Sequence, residues 1–311
     1  MVNLQITTKT VEQIASKHGF NLVGFAKADL ISREIEKLEI WLKKGYNAGM
    51  QYMEKNLEKR LDIRNILPSA KSVISLGMNY FTTEEKSESK EGYKVSRYAW
   101  GKDYHLVIWD KLKFISEELK SIDPTVEIIS YVDTGPVMDK VWAQRAGLGW
   151  IGKHSNLINR ESGSWFFIAN IFINKELDYS TPVSDLCGTC TKCIDACPTD
   201  AIVGEYIIDA NKCISYLTIE NKSEIGGEFK GKLNNYIFGC DICQDVCPWN
   251  LKFSVVSEND CFSPHNNNDR LTHKEISEMD EKEFNTRFIE SPLKRAKLSG
   301  LKRNSAFLSE G

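Results

Sequence analysis

CGTCTKCIDACP, residues 187–198, carries four cysteines separated by two, two and three residues, and the last is followed by proline. Thiolates at this spacing form an iron–sulfur run, in which three ligands wrap one four-iron cluster and the fourth reaches a neighbouring one. A run that sends Cys197 away requires a second cluster, and CDICQDVCP at 240–248 supplies Cys240, Cys243, Cys247 and Pro248. One ligand is missing locally, and Cys213, upstream of Cys240, replaces it across an insertion. The crossing rule then assigns Cys187, Cys190, Cys193 and Cys247 to one cluster, and Cys197, Cys213, Cys240 and Cys243 to the other. Zinc also takes Cys-x2-Cys pairs, but the two Cys-Pro endings and the three-residue spacing favour iron–sulfur. Cys261 is left over as a free thiol without a role.

Around that run, composition sets the bounds. The 311 residues, 41% hydrophobic and 27% charged, have room for one large domain and a smaller second one. All nine cysteines lie between 187 and 261. An odd, clustered set in a chain that starts MVNLQITTKTVEQIASKHGF, with no secretory pattern, argues for metal ligation over disulfides. The longest apolar run, WFFIANIFI at 165–173, is shorter than the ~20 residues of a membrane helix. A soluble cytoplasmic protein, monomeric and without a membrane partner, is expected. The net charge of −3 offers nucleic acid no global attraction, so such a partner would need a local basic patch.

The first half alternates helical and strand patterns, which indicates an α/β chain. Thr10 and Gln13 have the form of a capping box opening a helix through Val11, Ile14 and Ala15, with a stop at Gly19. NLVGFA at 21–26 is a strand. Ile31, Ile35, Leu38 and Leu42 form a helical stripe ended by Gly45, and SVISLGMNYF at 72–81 is a buried strand. Ile108, Leu112, Ile115 and Leu119 mark an amphipathic helix, and VEIISYVD at 126–133 a strand. TEEKSESKEG at 83–92 reads as an exposed loop, and ELDYSTPVSD at 176–185 as the linker into the cysteine-rich part. The chain ends in a charged helical segment containing SPLKRAKLSGLKRN.

The densest polar and glycine-rich stretch is VDTGPVMDKVWAQRAGLGWIGKHSNLINRESGSWFF, 132–167. Asp133 ends a strand, where ligands bind in an open α/β sheet; it could equally cap a helix starting near Pro136. Gly147, Gly149 and Gly152 permit close backbone approach to a ligand, but they follow a helix, which argues against a dinucleotide site. His154 on its own is more readily a hydrogen-bonding structural residue than a ligand.

Taken together, VDTGPVMDK, RAGLGWIGKHSNLINRESGSWFF and the split double-cluster motif ending CDICQDVCPWN resemble the epoxyqueuosine reductases. KRLDIRNILPSAKSVISLGMNYF, SRYAWGKDYH and the tail SPLKRAKLSGLKRN extend the resemblance over nearly the whole chain. It implies a nitroreductase-like α+β domain holding cobalamin at 1–180, a ferredoxin-type domain with two [4Fe-4S] clusters at 181–262, and a basic helical segment at 263–311. It further implies that the substrate is tRNA carrying epoxyqueuosine at the wobble position, reduced to queuosine with electrons from a low-potential donor. The family's proton donor falls on Asp133, a role that requires surroundings favouring a protonated carboxyl. Cobalamin contacts are expected from Arg97, Tyr98, Asp133, Lys153, His154, Ser155 and Asn156. Lys294, Arg295, Lys297, Lys302 and Arg303, otherwise a solvated face, become candidates for tRNA phosphates. Trp100 or Tyr104 could stack on the target base. A small-molecule reductase akin to the reductive dehalogenases would share the double cluster and the cobalamin domain but not need the basic tail. A plain electron carrier would share only the cysteines and have no use for the 186 residues before them.

Overall fold

A computed structural model describes residues 5–83, 92–269 and 271–310. The chain opens with α1 (Thr8–Lys17), β1 (Leu22–Lys27), α2 (Ser32–Lys43), α3 (Leu57–Leu61) and β2 (Ser72–Asn79). Helix α1 starts earlier than its sequence signal: Thr7, not Thr10, is the N-cap, and its hydroxyl accepts the Thr10 amide at 3.2 Å. Both α1 and α2 stop just before a glycine in the left-handed region, Gly19 at φ +82 and Gly45 at φ +67. Residues 84–91, most of the expected loop, lie outside the described residues.

Next come β3 (Gly92–Val95), α4 (Tyr104–Ile122), β4 (Ile128–Tyr131), α5 (Asp139–Arg145), the short hairpin β5 (Trp150–Ile151) and β6 (Leu157–Ile158), and β7 (Phe166–Ile173). The main sheet runs β1-β2-β7-β4 with every pairing antiparallel. The domain is therefore of the α+β kind, and the parallel-sheet rule does not apply to Asp133. Central strands β2 and β7 read as unbroken apolar runs because helices cover both faces. Ile74, Leu76 and Met78 pack with Val11, Ile108, Leu112 and Ile115 on one side. Val73 and Phe172 pack with Ile35, Leu38 and Trp142 on the other. All four residues of the α4 stripe are buried. Ser75 and Asn170, the polar pair inside these strands, satisfy each other, the hydroxyl donating to the amide oxygen at 2.5 Å.

The second half is built of short pieces: α6 (Lys192–Asp195), β8 (Ile202–Gly204), β9 (Ile207–Ile208), α7 (Ile214–Ile219), β10 (Tyr236–Phe238), α8 (Ile242–Asp245) and α9 (Pro248–Phe253). Cys193 and Cys243 sit in the single turns α6 and α8. Pro248 opens α9 at a position that needs no amide donor, and this turns the chain sharply after Cys247. The C-terminal part holds β11 (Leu271–Thr272), α10 (His273–Glu278), α11 (Glu281–Arg287) and α12 (Lys297–Ser309). Strand β3 pairs parallel with β10 and antiparallel with β11, so one three-stranded sheet draws on residues from the first half, the cysteine-rich part and the tail. A shared core of Tyr93, Trp100, Phe238, Leu271, Phe288 and Leu301 packs behind it. Among the described residues no helix is long and apolar enough to cross a membrane.

Candidate functional site

Cys187, Cys190, Cys193 and Cys247 come together around a cavity of about 360 Å³, which His154 and Trp249 also line. Cys197, Cys213, Cys240 and Cys243 form a second set, within electrostatic reach of one another. The sets face inward from short turns, so their thiols are crowded and desolvated. Burial, followed by Cys247 and Cys187, pushes the Cys193 thiol up to about 11. Burial likewise raises Cys213, Cys240 and Cys243. Thiols held this way ionise only against a bound cation. Donors already point at two of the sulfurs: Trp150 Nε1 donates to Cys187 Sγ at 3.4 Å, and the Ala201 amide to Cys197 Sγ at 3.3 Å. Among the described residues no three His, Cys, Asp or Glu side chains meet closely enough for a single metal ion. The Cys187 set lines a volume rather than a point, which fits a cluster better than tetrahedral zinc. Cys261 packs against the main core, away from both sets.

Asp133 lies just past β4 with φ +55, a left-handed position that turns its side chain out of the sheet. Helix α5 starts at Asp139 with Met138 as N-cap, so Asp133 caps nothing. Its carboxylate accepts the Tyr104 hydroxyl at 2.6 Å and lies 3.9 Å from His105 Nε2. Its side chain remains 69% exposed. Tyr104 is fixed between rings, stacked on Phe167 at 4.3 Å and on His105 at 4.1 Å, with Tyr98 edge-on at 6.2 Å. His105 is oriented by Asp103, whose carboxylate accepts its Nδ1–H at 2.7 Å while also capping α4. Burial and the neighbouring Asp133 charge keep the Tyr104 hydroxyl protonated, so it is a permanent donor.

Asp139 and Lys140 flank this point. The Asp139 carboxylate accepts Asn170 Nδ2–H at 2.8 Å, and burial, reinforced by Asp133, pushes its pKa up to about 7. Lys140 Nζ donates to the Ser155 carbonyl and to Asn156 Oδ1, both at 2.9 Å. Its side chain is exposed, yet the surrounding protein desolvates the ammonium and lowers its pKa, against the charges of Asp133, Cys243, Asp139 and Cys213. An exposed side chain whose ammonium is nevertheless desolvated lies in a cleft of the surface, where the charges of Asp133 and of the second cysteine set act on it. Tyr52, 47% exposed, feels Glu220, Asp133, Arg295 and Arg60. The start of the basic segment is thus within electrostatic reach of both Tyr52 and Asp133.

The remaining residues named from sequence divide. Tyr98 lies beside Tyr104 at the cleft. Ser155, at φ +61, and Asn156 reach it through Lys140. Arg97 is held inside the protein, its guanidinium against Phe81, Trp100 and Trp165 and bonded to the Thr82 carbonyl. Lys153 pairs with Glu205 at 2.6 Å, and His154 borders the Cys187 cavity. Trp100 is 1% exposed and donates to the Val95 carbonyl, so it has no face for a base. The glycines serve the fold: a Cβ on Gly149 would stand 2.0 Å from the Ile158 carbonyl oxygen, and one on Gly147 2.8 Å from that of Thr181. Lys294 and Lys297 are exposed. Arg295 pairs with Glu220 at 2.8 Å, and Arg303 is spent on the carbonyls of Leu217, Asn221 and Ser223. Sequence reasoning passed over Asp139 and Lys140; the only signal was their adjacency to Asp133 in VDTGPVMDK.

Comparison with known proteins bears on the whole chain. A family model described as epoxyqueuosine reductase QueG, DUF1730, matches residues 60–134, and one described as a 4Fe-4S double cluster binding domain matches 186–250. An epoxyqueuosine reductase of Cellulophaga algicola is 49% identical over 298 residues, 94% of this chain and 95% of its own. One of Leadbetterella byssophila is 49% identical over 303 residues, 97% of this chain and 98% of its own. Among solved structures, an epoxyqueuosine reductase crystallised with an epoxyqueuosine-modified tRNA-Tyr stem loop superposes with a TM-score of 0.90 at 31% identity, covering 96% of this chain and 80% of that one. The Bacillus subtilis enzyme, solved with its catalytic aspartate loop swung out of the active site, gives 0.89 at 29% identity with the same coverage.

Proposed function

The chain belongs to the epoxyqueuosine reductase family, and on that premise we propose that it reduces epoxyqueuosine in tRNA to queuosine at the cleft around Asp133. The observation that carries the reading is the Asp133 carboxylate held by the permanent hydroxyl donor of Tyr104, beside a desolvated Lys140 on which the charges of Asp133, Cys213 and Cys243 act. Loss of the epoxide oxygen as water takes two electrons and two protons. Cobalamin bound in the cleft supplies a low-valent cobalt for the two-electron step, and the [4Fe-4S] clusters supply electrons singly.

The chain's own groups do the rest. Tyr98, Ser155, Asn156 and Lys140 would hold the corrin, the Lys140 ammonium supplying the positive charge there. Asp133, beside Tyr104 and open to solvent, would deliver both protons to the departing oxygen in turn as general acid, taking up the second from water after giving the first. Tyr104 keeps the carboxyl aimed into the cleft. Cys197, Cys213, Cys240 and Cys243 hold the cluster nearer the cleft, since Cys213 and Cys243 act on Lys140. Cys187, Cys190, Cys193 and Cys247 hold the outer one, where a low-potential donor delivers electrons. Lys294, Lys297 and Lys302 meet tRNA phosphates beside the cleft mouth, and the exposed rings of Tyr52 and Trp109 flank the nucleotide as it enters.

Mass spectrometry of nucleosides from epoxyqueuosine-modified stem loop, incubated anaerobically with the reduced holoenzyme, tests the reading. Conversion to queuosine is expected. No loss of epoxyqueuosine while the cobalt is reduced would sink it.

A further inference from the structure

His154 has one ring nitrogen without a partner, and its position makes that nitrogen informative. The residue is 3% exposed. Its Nδ1 accepts the Asn156 amide at 3.2 Å, which leaves the ring proton on Nε2. Nε2 is buried and bonds nothing among the described residues. An orphaned buried donor is costly, so a native fold that keeps one has a use for it. The Asn156 amide fixes the tautomer of the ring. The ring lines the same cavity as Cys187, Cys190, Cys193 and Cys247. Gly152 leaves it room: a Cβ there would come within 3.3 Å of His154 Cε1. Trp150 Nε1 already donates to Cys187 Sγ, so one sulfur of this set already takes an N–H donor.

We propose that His154 Nε2–H donates a hydrogen bond to a sulfur of the cluster held by Cys187, Cys190, Cys193 and Cys247, and that this bond raises the cluster's reduction potential. The inference rests on the reading of that cysteine set as a [4Fe-4S] site. Reduction adds negative charge to the cluster, and a donor to its sulfurs favours the more negative state. His154 is thus a tuning residue for the outer end of the electron path. It sets how readily the outer cluster takes an electron from the donor, without touching substrate.

The test is an EPR-monitored potentiometric titration of the anaerobically purified holoenzyme and of H154L and H154Q. Leucine removes the donor at similar volume, whereas glutamine restores an N–H. In H154L one of the two midpoints is expected to fall by about tenfold in its reduction equilibrium, which is about 59 mV for one electron, with the other unmoved. H154Q recovers most of the shift. Two unchanged midpoints in a fully loaded H154L, or equal shifts in both, would overturn the inference. Should H154L fail to assemble, the wild-type protein labelled with ¹⁵N-histidine decides: a nitrogen coupling to a reduced cluster in ENDOR is expected, and its absence overturns the inference. A Cys190→Ser/Cys193→Ser double variant that keeps its full iron content and both EPR signals refutes the cluster reading itself, a separate outcome.

Discussion

At Asp133 the backbone, rather than any strong charge partner, does the positioning. A non-glycine residue at φ +55 carries strain that the native structure must offset, and the hydroxyl of Tyr104 is the contact that gives the strained loop a fixed end point. Asn at 133 can still accept that hydroxyl but has no proton to give. Asp133→Asn is therefore expected to keep clusters and corrin by absorbance while turnover falls about 100-fold or more; near-normal turnover would remove Asp133 from the chemistry. Tyr104→Phe removes the aim and leaves the acid, so a smaller loss, about tenfold, is expected in the same assay. Asp139 is a different case. Its carboxyl keeps a proton up to about pH 7 in the folded state, whereas in the unfolded chain an aspartate releases it near pH 4. Below pH 4 both states are protonated and the group is neutral to stability. As pH rises from 4 to 7 the folded state is progressively penalised, and above 7 the penalty is complete. Asp139→Asn keeps an oxygen for Asn170 and lifts the penalty. Its thermal midpoint should gain on wild type between pH 5 and pH 8, and a constant difference across that range would refute the assignment.

Elements with a strong repeat were legible, and those built by distant pairing were not. The stripe of α4 and the apolar runs of β2 and β7 stand at their sequence positions because each buries a face or two against the same core. Strand direction was not legible: alternation of helices and strands is equally compatible with parallel order, and only the long-range pairings make this sheet antiparallel. Strands β3, β10 and β11 carry too few residues to show a period, and what stabilises them is a partner more than a hundred residues away. The cysteine sets could be grouped from sequence because ligand spacing encodes cluster topology. Lys140 could not be recognised, since its meaning comes from the turn at 155–156 folding over it. The β5–β6 hairpin shows how a local rule misleads: Gly149 looks like a ligand-approach glycine, yet the close neighbour is the chain's own Ile158 carbonyl. Gly149→Ala should therefore destabilise by about 1–3 kcal/mol and loosen Trp150 from Cys187. The measurements are a lower thermal midpoint and less than about eight irons per chain after anaerobic gel filtration.

Over the whole molecule, the proposed reading brings electrons and RNA to one cleft from different sides. The Cys187 set lines a cavity beside α9, the charges of Cys213 and Cys243 act on Lys140, and Arg295 and Tyr52 both feel the charge of Asp133. With a net charge of −3 the chain as a whole does not attract a polyanion, so binding of tRNA must rest on a few cations placed where the substrate lies. Those cations are not equivalent. Lys294 and Lys297 are exposed and Lys302 half-buried, and a lysine at such a site acts on a phosphate as a point charge. Arg303 has its guanidinium committed to the carbonyls of Leu217, Asn221 and Ser223, and through them it ties α12 to the end of α7. Replacing Lys294, Lys297 and Lys302 together by alanine should weaken stem-loop binding and flatten the slope of log affinity against log salt by about 0.7–0.9 for each phosphate no longer neutralised. Arg303→Ala should lower the thermal midpoint and leave the salt slope of the folded protein unchanged. An unaltered slope in the triple variant would return the lysines to a solvated face, and a flattened slope in Arg303→Ala would mean that its guanidinium leaves those carbonyls for RNA.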